Sequence, residues 1–284
     1  MARLTKIHAN LIANVLQKRI GKVSLSANWQ KIFAELEVGS VDESGRALLF
    51  SAAELQQLQQ MSTAYFGSDL LKDSFEGTRA VVAKHSRYEK LATISPDEQY
   101  VLVKPQPIYD GIARECSIRL PLHNILNLLA SQPEKINHLV IVENLDAFDG
   151  WHQFAIDASL NNALVVYRGH NGIAKGVNSL LERLPIHIQI VAFVDIDPAG
   201  IQIALASPRV TQLLAPSVDA LASLVPTANS SEDYAAQYKQ LKHMRQQTAD
   251  WQLLQQFIIE HRVSIKQQHM LAHGLPLICH SRNC

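Results

Sequence analysis

The stretch V-A-F-V-D-I-D-P-A-G-I-Q-I-A, residues 191–204, decides the fold. With Ile188 and Ile190 ahead of it, the apolar run reads as a strand buried on both faces, the pattern of a parallel sheet covered by helices. It stops abruptly at Asp195. Asp197-Pro198 is a helix start, because an aspartate accepts from free backbone N–H groups and proline fits the first helical position. Ile201 and Leu205 supply the inward face of that helix. Ligands of open α/β sheets bind beyond the carboxyl ends of the strands, so Asp195 and Asp197 stand where such folds do chemistry. Two carboxylates two residues apart on a nearly extended chain point the same way and can share a cation.

Working outward, residues 138–142 form a short apolar strand that ends in Glu143, and residues 145–158 can return as a helix. Ala163 to Tyr167 is the next strand, followed by Arg168-Gly169-His170-Asn171-Gly172 and a helix to about Leu184. The strand over 186–194 then leads into the two aspartates. Such alternation predicts an α/β, Rossmann-like parallel sheet with helices on both faces. We place this domain at residues 108–226, with one more short strand or turn and a helix over 215–224. Residues 227–284 are read as a polar linker and a Gln-rich helical tail carrying Lys239, Lys242, Arg245 and Arg262.

Ahead of this domain, residues 1–107 read as a smaller α+β domain. Helices are predicted over 4–20 and after Ser26, where Trp29, Ile32, Phe33 and Leu36 share a face. Extended pieces at 37–41 and 47–50 flank the turn Asp42-Glu43-Ser44-Gly45. Ser51-Ala52-Ala53-Glu54 matches a capping box opening a helix to about Tyr65. A further helix is predicted over 78–92 and a strand over 100–103, before the linker-like Lys104-Pro105-Gln106-Pro107. This order is compatible with a winged-helix-like module, and equally with many small α+β folds.

The 284 residues carry 47% hydrophobic and 18% charged side chains at zero formal net charge, which marks a folded chain and argues against a globally basic nucleic-acid binder. Local patches must carry any such role. Residues 1–31 hold Arg3, Lys6, Lys18, Arg19, Lys22 and Lys31 without one acid, and residues 78–92 hold Arg79, Lys84, His85, Arg87 and Lys90 against Glu89 alone. Arg79 and Arg87, with Gly169, His170 and Lys175 near the acids, are the candidate DNA contacts, although a solvated helix face explains the same charges. Cys116, Cys279 and Cys284 sit at no metal-finger spacing and fit a reducing cytoplasm. No apolar run is long enough to cross a bilayer, so no membrane partner is expected.

The candidate chemistry lies in Glu143, Asp195 and Asp197. Parallel strands joined by helical crossovers bring their carboxyl ends to one edge, so acids far apart in sequence converge. Converging carboxylates repel unless protonated or bound to a cation, and an all-oxygen set selects Mg²⁺ or Mn²⁺. The bland alternative is that Glu143 ends a strand in solvent while Asp197 caps a helix. Tyr88 is weighed as a nucleophile, but a tyrosine among helical residues more often packs. His269 and His273 have helical metal spacing but lack further ligands. Gly169, Gly172 and Gly176 lack the lysine and hydroxyl of a phosphate loop.

V-I-V-E-N-L-D-A-F (140–148) with F-V-D-I-D-P-A-G-I-Q-I (193–203) resembles a Toprim domain, the metal-binding fold of topoisomerases, primases and some nucleases. The D-x-D-P-x-G form is similar to the topoisomerase VI A-subunit branch. A-L-V-V-Y-R-G-H-N-G (163–172) resembles the second strand and glycine turn of the JetD and MksG nuclease subunits of Wadjet-type SMC plasmid-defence systems. The resemblance covers about residues 135–225. It implies that Glu143 is a metal ligand and possible general base, that Asp195 and Asp197 are a metal-binding pair, and that Gly169 and Gly172 let the backbone approach nucleic acid. Related nucleases often carry a Glu in the segment matching V-S-I-K-Q-Q-H-M-L (263–271), where this chain has Gln267 and Gln268. The tyrosine motif of the topoisomerase VI branch is absent, so hydrolysis is expected over tyrosine transesterification.

The expectation is therefore a cytoplasmic, divalent-metal-dependent DNA endonuclease, homodimeric, acting on duplex DNA with an SMC-kleisin ATPase complex. The alternative is a non-catalytic DNA-binding or SMC-docking subunit. A phosphatase is a third possibility.

Overall fold

Apolar residues at helical spacing fold the first of two units in a computed structural model that describes residues 4–131, 134–244 and 250–282. The units comprise Met1–Pro96 and Asp97–Cys284. Arg3, Arg245 and Cys284 lie outside the described residues.

In the first unit, α1 (Lys6–Lys18) buries Ile12, Val15 and Leu16. β1 (Lys22–Ser24) leads to α2 (Ala27–Leu36), which buries Trp29, Ile32 and Leu36. β2 (Ser40–Val41) and β3 (Ala47–Leu49) complete an antiparallel sheet of order β1-β3-β2. α3 (Ala52–Phe66) starts at the anticipated capping box: Ser51 Oγ accepts from the Glu54 N–H at 3.2 Å, and the Ser51 N–H donates to Glu54 Oε2 at 2.7 Å. The helix expected over 78–92 is cut to α4 (Arg79–Val82) and a 3-10 turn at Glu89–Leu91. Side chains there compete for backbone groups: Ser86 Oγ accepts from the Tyr88 N–H at 3.1 Å, and His85 Nε2 lies 2.8 Å from the Ser74 carbonyl.

The second unit is a seven-stranded mixed sheet with helices. β4 (Tyr100–Val103) pairs antiparallel with β5 (Ile118–Pro121) and meets β7 through Val103 and Val166. α5 (Leu122–Ser131) follows, then β6 (His138–Val142), α6 (Leu145–Asp149), β7 (Leu164–Tyr167) and α7 (Asn171–Arg183). Next come β8 (Gln189–Phe193), α8 (Pro198–Ala206), β9 (Val210–Ala215) and α9 (Val218–Ala228). α10 (Ser231–Ala236), α11 (Tyr238–Met244), α12 (Gln252–His261), α13 (Gln267–Ala272) and β10 (Ile278–Ser281) end the unit. The strand order is β10-β9-β8-β6-β7-β4-β5. Its centre, β9-β8-β6-β7, is parallel, and antiparallel strands close both sides.

Several boundaries differ from the sequence reading. β4 lies inside the α/β unit, so that unit begins ahead of the Pro105–Pro107 stretch instead of after it. Lys104 is 3% exposed, and its ammonium donates to the carbonyls of Glu115 (3.1 Å) and Asp149 (3.0 Å), so this stretch opens an anchored loop and not a linker. The helix expected over 145–158 stops at Gly150, because Trp151 and Phe154 turn inward against Phe193, with ring centroids 6.1 Å and 5.1 Å away. β8 starts late, since Ile186 is 90% exposed. The tail is built into the same unit: β10 pairs with β9, while Trp251, Leu254, Phe257, Ile258 and Ile265 are buried in the core around the sheet. No helix among the described residues is long and apolar enough to cross a membrane.

Candidate functional site

β6 and β8 lie side by side, and their outgoing connections diverge, β6 leading to β7 on one side and β8 to β9 on the other. The carboxyl ends of such a pair form the crevice where open α/β sheets bind ligands. Glu143 follows β6 directly, and its N–H extends the ladder by donating to the Phe193 carbonyl at 3.0 Å. Asp195 stands two residues past β8. Its N–H donates to Glu143 Oε2 at 3.2 Å, so the first two acids meet at the crevice.

A third piece of chain arrives from the far end of the sequence. Ile196 pairs antiparallel with Ile265, its N–H donating to the Ile265 carbonyl at 2.9 Å and its carbonyl accepting from the Ile265 N–H at 3.1 Å. Both isoleucines are fully buried. Side chains alternate along extended chain, so Asp195 and Asp197 face one way together with Ser264 and Lys266. Lys266 Nζ lies 2.8 Å from Asp197 Oδ2 and 3.4 Å from Asp195 Oδ2, and Ser264 Oγ donates to Asp197 Oδ2 at 3.1 Å.

The three acids differ in how much of their hydrogen-bonding capacity is used. Asp197 is 2% exposed and its carboxylate is saturated. Oδ1 caps α8 by accepting from the Gly200 N–H at 2.8 Å, while Oδ2 accepts from Gln237 Nε2 (3.0 Å), Ser264 and Lys266. Burial would raise its pKa, but these donors hold it below the usual carboxylate range. Asp195 Oδ1 accepts from the Gln267 N–H at 2.9 Å, and Oδ2 faces Lys266. Burial pushes its carboxyl up, against the pull of Gln267 and Lys266. Glu143 Oε2 accepts from Asp195, and Oε1 accepts no hydrogen bond from the described residues. Burial, then repulsion from Asp195, pushes Glu143 up to about 7, against the Asp195 N–H and the charge of Arg168. Lys266 is held above the ordinary lysine value: burial opposes its charge, and Asp197 and Asp195 more than offset this.

The donor set bears directly on a divalent ion. Glu143 and Asp195 keep free lone pairs, whereas Asp197 is committed to α8 and to Lys266. In this arrangement no three His, Cys, Asp or Glu side chains among the described residues are grouped to hold one ion. Hard oxygen donors suit Mg²⁺ or Mn²⁺, so Glu143 and Asp195 are the residues that fit such an ion, with water completing its shell.

Gln267 joins the two acid-bearing loops. It is fully buried, its Oε1 accepts from the Asn144 N–H at 2.9 Å, and its own N–H holds Asp195, while Nε2 is buried without a partner. Gln268 is half-buried on α13. The other expected contacts are more dispersed. Gly169 turns at φ 73°, and a Cβ there would overlap the Ile173 side chain, so the chain reverses tightly into α7. His170 is exposed and stands edge-on to Tyr167 at 6.1 Å. Lys175 pairs with Glu98 at 3.1 Å. Arg79 and Arg87 belong to the first unit, where Arg87 lies over Gly67. Tyr88 is in that unit too, stacked on Tyr65 at 5.8 Å and edge-on to Phe66 at 5.5 Å, which is aromatic packing.

Sequence reasoning passed over Lys266, Ser264, Gln237 and Arg168. One signal was available: Val263, Ser264, Ile265 and Lys266 alternate apolar and polar, the mark of an extended piece with one face buried. Gln237, on the turn between α10 and α11, has no such signature.

No curated protein matches the chain. Residues 98–279, which run from just ahead of β4 into β10 and contain every residue of the acid crevice, match the family model described as a domain of unknown function, DUF7281, and the chain belongs to that family.

Proposed function

We propose that the chain is a divalent-metal-dependent DNA endonuclease of Toprim type, a nuclease subunit similar to JetD and MksG that acts with an SMC-kleisin ATPase as a homodimer. The observation that carries this reading is the meeting of Glu143 and Asp195 at the divergent ends of β6 and β8, with the 3.2 Å bond between them. The motifs that resemble Toprim domains, V-I-V-E-N and D-I-D-P-A-G, supply these same residues. Mg²⁺ or Mn²⁺ held by Glu143 and Asp195 would neutralise phosphodiester charge and activate water. Without an ion the Glu143 carboxyl is pushed up to about 7 by burial and Asp195, and a divalent ion held there would offset that repulsion and favour the charged, ligating form. Asp197 holds α8 and fixes the Lys266 ammonium beside Asp195, a positive charge directed at the same crevice. The first unit, a small α+β module resembling a winged helix in content, would hold duplex DNA or the motor through Arg79, Arg87 and their neighbours.

A second reading is favoured by Lys266 itself. An ammonium shared by both aspartates does part of what a metal would do, and Gln267 is neutral where related nucleases often carry Glu. A non-catalytic DNA-binding or motor-docking subunit would retain this arrangement. Incubation of purified chain with supercoiled plasmid and Mg²⁺ or Mn²⁺, with and without the motor complex, separates the two. The nuclease reading expects nicking or linearisation that drops by at least about a hundredfold in Asp195→Asn and Glu143→Gln. No cleavage under any of these conditions, with retained DNA binding, selects the second reading.

A further inference from the structure

Arg168 is the unexplained cation of this rim. It follows β7, and its N–H donates to the Val142 carbonyl at 2.8 Å, so it emerges beside Glu143. Its guanidinium makes no ion pair and no hydrogen bond with the described residues, and its Nε is buried without a partner. A buried N–H left unsatisfied costs on the order of 1–3 kcal/mol, so such a group calls for a partner, whether a water or a bound ligand. Arg168 opens into a depression of about 390 Å³ between α7, α8 and α11, whose other polar lining includes the amides of Asn178, Gln202 and Gln240. No carboxylate lines it. Those three amides also form no hydrogen bond with the described residues.

We propose that Arg168, with Asn178, Gln202 and Gln240, forms a phosphate subsite that seats one backbone phosphate of a nucleic-acid strand next to the Glu143–Asp195 crevice. The ligand class follows from the lining. A planar fork of N–H donors matches the paired oxygens of a phosphate, the amides can donate to the remaining oxygens, and no carboxylate within the depression pairs with the fork, although its charge also acts on Glu143. The volume exceeds that of a phosphate alone and admits its sugar. Lys175, the cation expected from sequence to make such a contact, is already engaged by Glu98, whereas Arg168 is not. The subsite rests on reading the rim as a nucleic-acid site, but it requires binding only, not cleavage.

The test is fluorescence anisotropy of a fluorescein-labelled duplex of about 20 base pairs with the full chain in EDTA, over a series of salt concentrations. Arg168→Gln is expected to bind about tenfold more weakly, with the slope of log affinity against log salt shallower by about one. Arg168→Lys, which keeps the charge without the fork, should regain the slope and only part of the affinity. Equal affinity and slope in wild type and Arg168→Gln overturn the proposal, as does a wild type that does not bind the duplex. Inorganic phosphate is the second probe. If it binds wild type at micromolar concentration and displaces no duplex, the depression is a free-anion site and the strand assignment falls. The plasmid assay keeps the two readings apart: duplex binding that depends on Arg168 without cleavage removes the nuclease and leaves the subsite, whereas nicking unchanged by Arg168→Gln, with unchanged binding, does the reverse.

Discussion

At the scale of single residues, Glu143 carries an electrostatic cost that can be measured. Burial and Asp195 raise its carboxyl from 4.5 to about 7. Below pH 4.5 the folded and unfolded chains both hold the proton, and the residue contributes nothing to the pH dependence. Between 4.5 and 7 the folded chain keeps a proton that the unfolded chain has lost, so stability falls as pH rises, and above 7 the penalty is complete at up to about 3 kcal/mol. Thermal denaturation in EDTA should therefore show Glu143→Gln melting above wild type near pH 8 and close to it near pH 4.5. An increment independent of pH would contradict the shift. Asp197 has the opposite character, since its donors favour the charged form and support ionisation down to low pH. Glu143 and Asp197 thus differ because Asp197 is saturated by Gly200, Gln237, Ser264 and Lys266 and Glu143 is not.

At the scale of elements, α8 starts at the Asp197 cap and Pro198 and is seated on the preceding loop by one close approach. A Cβ at Gly200 would overlap the Asp195 carbonyl, so the first turn of the helix lies directly on the loop that presents both aspartates. Intrinsic propensity favours Gly200→Ala by about 1 kcal/mol, but the overlap with backbone outweighs it, because neither partner is a flexible side-chain end. Gly200→Ala should lose about 1–3 kcal/mol in chemical denaturation. A stabilised variant would mean that α8 and the loop separate freely. The elements most readable in the sequence were those with local stop signals: Ser51 and Glu54 at the head of α3, Asp197-Pro198 at the head of α8, and the apolar runs of β6, β7 and β8. The misjudged ones, the 78–92 segment and the stretch after Asp149, failed because Ser86 took a backbone N–H that a helix needs, and because Trp151 and Phe154 gained more from the core than from helical continuation.

At the scale of the whole molecule, the last 20 residues of described chain are structural as much as functional. β10 covers the open side of β9, Trp251 Nε1 donates to the His280 carbonyl at 2.8 Å, and Arg282 pairs with Asp250 at 2.7 Å. A chain ended at Ala272 keeps Lys266 and Gln267 but exposes β9 as an edge. Such an edge is a template for intermolecular pairing. Scanning calorimetry with light scattering should show a melting temperature lower by roughly 5 °C or more and earlier aggregation. An unchanged melting curve would mean that the antiparallel closure of the sheet adds nothing to stability.

The α/β architecture, the parallel character of the central strands and the positions of Glu143, Asp195 and Asp197 at strand ends were legible in the sequence alone, because periodicity and capping act over a few residues and leave a local trace, whereas the strand order and the antiparallel edges were not. What surrounds those acids was decided only by tertiary structure. Ser264 and Lys266 reach them through the pairing of Ile265 with Ile196, Gln237 through a turn between two helices, and Arg168 through its place at the end of β7. Contacts between residues so far apart in the chain are stabilised by packing of the completed core, and a local pattern marks at most the extended piece, as at residues 263–266, and not the partner it finds.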